Sequence, residues 1–143
     1  MLRFKDLMRT NVGRAKGKKL LIASYCLVED RPEIFEMFSK EDIFPLKVCM
    51  EAEEFNRVAY KILSFIKYSE VKEVIVVTVD GSPHCIQLHH IIDDIRRHFA
   101  EISSKHFVYS KGKLIEVPYE AVKVSRYLSK IKKIIDKINE QQG

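Results

Sequence analysis

The chain has 143 residues, of which 46% are hydrophobic and 31% are charged, a balance typical of a globular domain. This length can bury a core of its own, so we expect a single domain over residues 1–143. No apolar run approaches the roughly 20 residues of a membrane helix, and the first residues lack the apolar centre of a secretory signal. We therefore expect a cytoplasmic protein that does not contact a membrane.

The net charge of +5 is modest and is spread along the chain. Its densest basic stretches are Arg14–Lys19 and Lys130–Lys137. We interpret residues 1–18 as a flexible basic leader and the second stretch as the solvated face of a helix. Neither stretch carries the interleaved aromatic residues on which single-stranded nucleic acid stacks, so nucleic acid is not the expected partner.

The first half of the chain alternates apolar runs with helical patterns. A nearly continuous apolar run predicts a strand over Leu20–Val28 that is covered on both faces. A short helix over residues 33–39 and a second strand over Phe44–Met50 follow. Apolar residues at three- and four-residue spacing then predict a helix over Glu53–Tyr68.

The second half begins with the strongest strand pattern, Val74–Val79, which is β-branched at nearly every position. Ser82 and Pro83 then predict the start of a helix that ends near Phe99, because serine caps helices and proline is tolerated in the first turn.

The last third of the chain contains a predicted hairpin and a predicted long helix. Strands over residues 106–109 and 113–117 flank a hairpin turn, and a helix over residues 119–140 follows. The apolar stripe of this helix extends over about five turns, more than a helix at the edge of a small sheet needs. Part of the stripe is therefore expected to be covered by a second copy of the chain, in a homodimer, with packing in the core of the monomer as the alternative.

Strands that alternate with helices predict a single α/β domain of three layers. The central layer is a mostly parallel sheet with helices on both faces, and the terminal hairpin adds an antiparallel edge.

The turn Asp80–Cys85, between a predicted strand and a predicted helix, has the residues best suited to chemistry. Gly81 allows a positive φ and close approach of a ligand to the backbone. Cys85 falls in the first helical turn after Ser82, where unpaired N–H groups and the helix dipole favour a thiolate. His84 is adjacent, and Asp80 can orient a histidine or accept a proton. The turn therefore predicts a metal site or a thiolate nucleophile, with a purely structural turn as the alternative.

The other two cysteines, Cys26 and Cys49, lie near the carboxyl ends of predicted parallel strands. Ligands of open α/β sheets bind at that edge, so the three thiols are expected to converge there. Three cysteines cannot all pair, which favours free or metal-bound thiols. A role as a small buried residue explains Cys49 better than a site role does, and it explains Cys26 equally well.

Three further histidines, His89, His90 and His98, follow in the same predicted helix. His89 follows one turn after Cys85 and is a second candidate for the site, whereas His90 and His98 are expected on the surface.

In the order of its elements, the chain resembles the β-class carbonic anhydrases. That family has a Cys-x-Asp-x-Arg segment after its first parallel strand and a His-x-x-Cys segment after a later one, and both cysteines bind zinc. Cys26 and Cys85 have a similar separation. The likeness covers roughly residues 20–117, through Asp30-Arg31-Pro32-Glu33-Ile34-Phe35 and Val108-Tyr109-Ser110-Lys111-Gly112-Lys113-Leu114.

The resemblance implies a carbonic-anhydrase-like fold, a dimer, and a zinc cofactor held by Cys26, Cys85 and His84 (or His89). The position of the family's histidine is occupied here by Ser82. The positions of its aspartate and arginine are occupied by Val28 and Asp30, so that Asp30 and Arg31 would supply the catalytic pair only after a one-residue shift.

The leading prediction is therefore a zinc-binding protein of this fold, a divergent lyase or hydratase that uses a metal-bound water. A thiolate or redox protein that uses Cys85, with His84 or His89 as base, is an alternative. Another is a module that binds a small anion, a nucleotide phosphate or another small molecule at Gly81–Pro83. An iron–sulfur cluster is least favoured because it would normally require four cysteines.

Overall fold

The computed structural model describes residues 2–142. Within that range, strands β1–β6 are Lys5–Asp6, Lys19–Ser24, Ile43–Val48, Glu73–Val79, Ser103–Ser110 and Lys113–Val117. Helices α1–α5 are Tyr25–Asp30, Phe55–Tyr68, Ile86–His98, Tyr119–Val124 and Leu128–Gln142. Short 3₁₀ segments lie at Leu7–Arg9, Val12–Ala15 and Pro32–Phe38.

The strands form one sheet in the order β1-β3-β2-β4-β5-β6. All neighbouring pairs are parallel except β5 and β6, which are antiparallel. In the hairpin turn between them, Lys111 and Gly112 have φ of 50° and 80°. Two successive positive φ values are typical of a type I′ turn, whose twist matches that of the strands. The predicted mostly parallel sheet with an antiparallel edge hairpin is confirmed.

The central strands are buried on both faces because successive apolar side chains point in opposite directions. In β2, Leu20 and Ile22 pack in one core with residues of α2 and α3, and Leu21 and Ala23 pack in a second core with α1 and the Pro32–Phe38 segment. The sheet therefore has helical layers on both faces, as predicted.

The first predicted strand is shorter than the sequence pattern indicated. The prediction covered Leu20–Val28, but β2 ends at Ser24 and α1 begins at the next residue. A continuous apolar run does not show where a strand ends and a helix begins. With no polar residues at regular intervals, neither the two-residue period of a strand nor the 3.6-residue period of a helix can be recognised. Cys26 therefore lies in the first turn of α1 and not at the end of a strand.

Residues 2–18, interpreted from sequence as part of a flexible basic leader, belong to the fold. β1 pairs with β3, and the side chains of Leu7 and Ala15 are fully buried in the core. The few apolar residues of this segment are spaced for 3₁₀ turns and a two-residue strand, too short to give a periodic pattern.

The helix predicted over residues 119–140 is broken into α4 and α5. At the break, the Ser125 hydroxyl donates to the carbonyl of Val122 and Arg126 turns back toward α3. α5 has no buried residue, and its apolar side chains Leu128, Ile134, Ile135 and Ile138 are exposed. Among residues 2–142, no helix combines the length and the apolar character needed to cross a membrane.

Candidate functional site

The candidate site lies between the carboxyl ends of β2 and β4, which are neighbours in the sheet. The chain leaves β2 into α1, whose Leu27 packs on one face, and leaves β4 into α3, whose Leu88 packs on the opposite face. This divergence opens a crevice at the point where the strand order reverses. Open α/β sheets bind ligands at such topological switch points.

Two side chains meet across the crevice. The hydroxyl oxygen of Ser24, the last residue of β2, lies 3.2 Å from the sulfur of Cys85, a hydrogen-bonding distance for sulfur. Ser24 is buried and Cys85 is half-buried. Sequence reasoning did not select Ser24, although a serine that ends a buried apolar strand is the available signal.

The turn after β4 is held by backbone and side-chain hydrogen bonds. The N–H of Asp80 donates to the carbonyl of Tyr109 at 3.0 Å, and Gly81 has a φ of 84°. The N–H of Cys85 donates to the Ser82 hydroxyl oxygen at 3.1 Å, as in a serine cap, although α3 begins only at Ile86. The N–H of Cys85 is consequently occupied, which weakens the expected anion site at this turn.

Cys26 and Cys85 lie close enough for Cys85 to affect the pKa of Cys26, although Cys26 lies in the first turn of α1 and not at the end of a strand. Partial burial raises the pKa of Cys26, and the neighbouring Cys85 is the second cause of this increase. Asp30 contributes in the same direction. The Cys26 thiol therefore favours its protonated form.

A surface hollow of about 430 Å³ brings Cys26 together with both members of the predicted catalytic pair. Its lining residues are Cys26, Leu27, Asp30, Arg31, Val79 and Tyr109. The hollow is therefore flanked by a thiol, a carboxylate, a guanidinium and a phenol, a combination that can bind a small polar or anionic molecule.

The remaining predicted ligands do not join this group. Cys49 is exposed just beyond β3, so its interpretation as a buried strand residue is wrong, because the strand ends one residue earlier at Val48. His84 is also exposed. Among residues 2–142, no three His, Cys, Asp or Glu side chains are grouped so that they could hold a metal ion. The described residues therefore do not fit the zinc site that the resemblance implies.

His89 points into the core, away from solvent. Its Nε2 lies 2.7 Å from the hydroxyl oxygen of Thr78, and its Nδ1 lies 2.8 Å from Nδ1 of His106. Burial, followed by the neighbouring His106, lowers the pKa of His89 to about 3. Both ring nitrogens are thus occupied by protein groups, and the ring is uncharged at neutral pH.

The other two histidines of α3 differ from each other. His98 is exposed, as predicted. His90 is half-buried, and its Nε2 lies 2.9 Å from the Ser125 hydroxyl, because α4 folds back over α3. Sequence reasoning did not select Thr78 or His106, although each is a polar interruption in an apolar strand.

Comparisons with known proteins agree with this architecture. A family model described as a Rossmann-like domain matches residues 13–142. Neither a search of curated proteins nor a search of solved structures gave a match. The family match gives no support to the resemblance to β-class carbonic anhydrases. The parallel sheet and its switch point fit the Rossmann-like domain well. The chain therefore belongs to the Rossmann-like domain family.

Proposed function

We propose that the chain carries out thiolate chemistry at its switch point, with Cys85 as the nucleophile. The observation that supports this proposal is the Ser24 hydroxyl, 3.2 Å from the Cys85 sulfur at the boundary between two diverging connections. A hydroxyl can donate to a thiolate and thereby favour the form of cysteine that reacts.

The position of Cys85 supports the same proposal. Cys85 is the residue immediately before the thirteen-residue helix α3. The positive end of the helix dipole favours a negative charge there, by about 0.3–1 kcal/mol at a surface site. The N–H of Cys85 donates to the Ser82 hydroxyl oxygen, and this bond fixes the backbone of Cys85 with its sulfur beside Ser24.

The neighbouring Cys26 suits the role of a resolving thiol, and Arg31 in the same hollow suits an anionic substrate. With a small anionic disulfide, the Cys85 thiolate would attack one sulfur and release the other as a thiolate. Cys26, after losing its proton to solvent, would attack the Cys85 sulfur and release the second thiolate. The products are a Cys26–Cys85 disulfide and the substrate reduced by two electrons.

Alkylation with iodoacetamide tests the proposal. A variant that retains only Cys85 (C26S, C49S) is compared at pH 7 with a variant that retains only the exposed Cys49 (C26S, C85S). Cys85 is expected to react several-fold faster although it is less exposed. A rate equal to or below that of Cys49 would overturn the proposal.

Zinc held by Cys26 and Cys85 is the competing hypothesis, although among residues 2–142 no third protein ligand is grouped with these two thiols. Elemental analysis of protein purified without added metal separates the two. A stoichiometric transition metal, together with protection of both thiols from alkylation, would support metal binding and contradict thiolate chemistry.

A further inference from the structure

A second cavity lies on the opposite face of the sheet from Cys26. It has a volume of about 250 Å³ and lies beneath the Asp80–Pro83 turn, between β4, β5 and the first turn of α3. A smaller hollow of about 140 Å³ continues it under α4. The two share Asp80, Ile86, His89 and Val108. A space of this size admits a ligand smaller than a typical drug.

The walls of this cavity are largely apolar. The first part is lined by Val79, Pro83, Ile86 and Val108, and the continuation adds Val117, Ala121 and Val122. Among the residues that the structure describes, no lysine or arginine lines either part. Asp80 is the charged residue at the mouth, and its carboxylate forms no ion pair among residues 2–142.

The floor of the cavity is formed by Thr78 and His89, which are only 1% and 3% exposed. They begin a buried chain of polar side chains. His89 contacts His106 at 2.8 Å, and Nε2 of His106 lies 3.2 Å from the Ser104 hydroxyl. A cavity with apolar walls thus has a polar floor that is already connected to a hydrogen-bonded network.

Two neutral orders of donation satisfy this chain. In the first, Thr78 donates to Nε2 of His89, the Nδ1–H of His89 donates to His106, and the Nε2–H of His106 donates to Ser104. In the second order, Ser104 donates to His106, His106 donates to His89, and His89 donates to the Thr78 oxygen. The Thr78 hydroxyl proton then takes no part in the chain. In the first order, the Thr78 oxygen presents only acceptor lone pairs to the cavity.

We propose that this cavity binds a small primary ammonium ion with a short apolar chain. The ammonium group would donate to the Asp80 carboxylate at the mouth and to the Thr78 oxygen at the floor, and the chain would lie against Ile86 and Val108. Cations require acceptors, and the uncharged His89 offers no repulsion. A bound ammonium ion therefore selects the first order of donation. Because the ion contacts Thr78, Thr78 donates to His89 and His89 in turn donates to His106. This inference is independent of Cys85 chemistry.

A titration followed by two-dimensional ¹H–¹⁵N NMR tests this proposal on the full chain. The probes are n-butylammonium, n-butanol and butyrate at neutral pH. Butylammonium is expected to shift the amides of Gly81 and Val108 saturably, and to bind more tightly than n-butanol, while butyrate has no effect. On saturation, the ring ¹⁵N shifts of His89 are expected to report protonation at Nδ1 alone.

Asp80→Asn is the discriminating variant, since Asp80 is exposed and its replacement leaves the core intact. It is expected to weaken butylammonium binding about threefold to fivefold, as for a partly exposed charge pair, without changing the binding of n-butanol. Asp42→Asn, at an exposed carboxylate remote from the cavity, is the matched control. Absence of saturable shifts, or equal binding of butylammonium and butyrate, would overturn the proposal.

Discussion

The hydroxyl oxygen of Ser24 and the sulfur of Cys85 lie 3.2 Å apart, although 61 positions separate them in the chain. Ser24 ends β2 and Cys85 precedes α3, so this contact joins the two connections that diverge at the switch point. Since Ser24 is buried, its hydroxyl loses water when the chain folds, and Cys85 is the partner that compensates for this loss.

Replacement of Ser24 by alanine is expected to slow alkylation of Cys85 roughly fivefold at pH 7. This factor corresponds to about 1 kcal/mol, a typical contribution of one hydrogen bond. The measurement is the iodoacetamide rate in a chain whose other cysteines are replaced by serine. Ser39→Ala, at an exposed serine, serves as the control and should leave the rate unchanged. An unaltered rate in the Ser24 variant would show that the hydroxyl does not assist the thiolate.

Replacement of Cys85 by serine is expected to make Cys26 more reactive at mildly alkaline pH. Burial is the larger cause of the raised pKa of Cys26, and the nearby Cys85 is the second, so removal of Cys85 lowers that pKa part of the way. The rate of Cys26 alkylation is measured between pH 7 and 9 with mass spectrometry to resolve the site. The exposed Cys49 provides an internal reference within each sample. A Cys26 profile that does not move would contradict the interaction between the two thiols.

The strand order of the switch point was not predictable from the sequence, although the α/β class was. Alternation of apolar strands with amphipathic helices determines the class, whereas the order β3-β2-β4 depends on contacts between distant segments. From the sequence, Cys26 and Cys85 were expected to share one edge of the sheet, and in the structure Cys85 affects the pKa of Cys26. The sequence could not show that Ser24 contacts Cys85, because one serine at the end of an apolar run has many structural explanations.

The sequence placed His89 beside Cys85 and gave no sign of the role of His106, and both errors have a physical cause. His89 lies one helical turn beyond Cys85, which suggested a shared site, yet the side chain turns toward Thr78 and His106 in the core. Helical spacing gives the face of a residue but not the polar partner that awaits it on a neighbouring strand. His106 appeared as an ordinary strand residue because its partner on α3 is seventeen positions away.

Arg126 is expected to hold α4 against α3. It donates to the carbonyl of His90 and to Asp94, both at 2.9 Å, and lies 3.6 Å from the buried carboxylate of Asp93. Arg126→Met should lower the free energy of unfolding by on the order of 3 kcal/mol, because Asp93 would lose one of its compensating charges. Urea denaturation measures this loss.

Arg97 is the matched control for Arg126. It lies 3.2 Å from the same carboxylate, but its side chain is more exposed and it makes no link to α4. Arg97→Met should therefore cost clearly less than Arg126→Met. Equal losses in the two variants would mean that the link to α4 does not contribute.

α5 is expected to mediate self-association, as the apolar stripe suggested. Ile135 and Ile138 are about half exposed on this helix. Ile135→Lys should shift the weight-average mass toward that of a monomer in sedimentation equilibrium over a dilution series. Lys133→Ala, on the same helix, should not shift it. A wild-type chain that is monomeric at every concentration would contradict the dimer.

The buried histidines are expected to make the fold sensitive to mild acid. Burial is the largest cause that lowers the pKa of His89 to about 3 and that of His106 to about 4, whereas an unfolded histidine titrates near 6.5. Below pH 6.5 the unfolded state therefore binds more protons than the folded state. Stability is fully present above pH 7 and declines as the pH falls toward 4.

The loss between pH 7 and 5 should be on the order of 2 kcal/mol for each of the two histidines. Urea unfolding at several pH values measures it, and His106→Gln should flatten the dependence because glutamine does not titrate. His98→Gln, at an exposed histidine, should keep the wild-type slope. If His106→Gln and the wild type show the same slope, then His106 does not stay neutral in the folded core, and neither of the two neutral orders of donation from Thr78 to Ser104 holds.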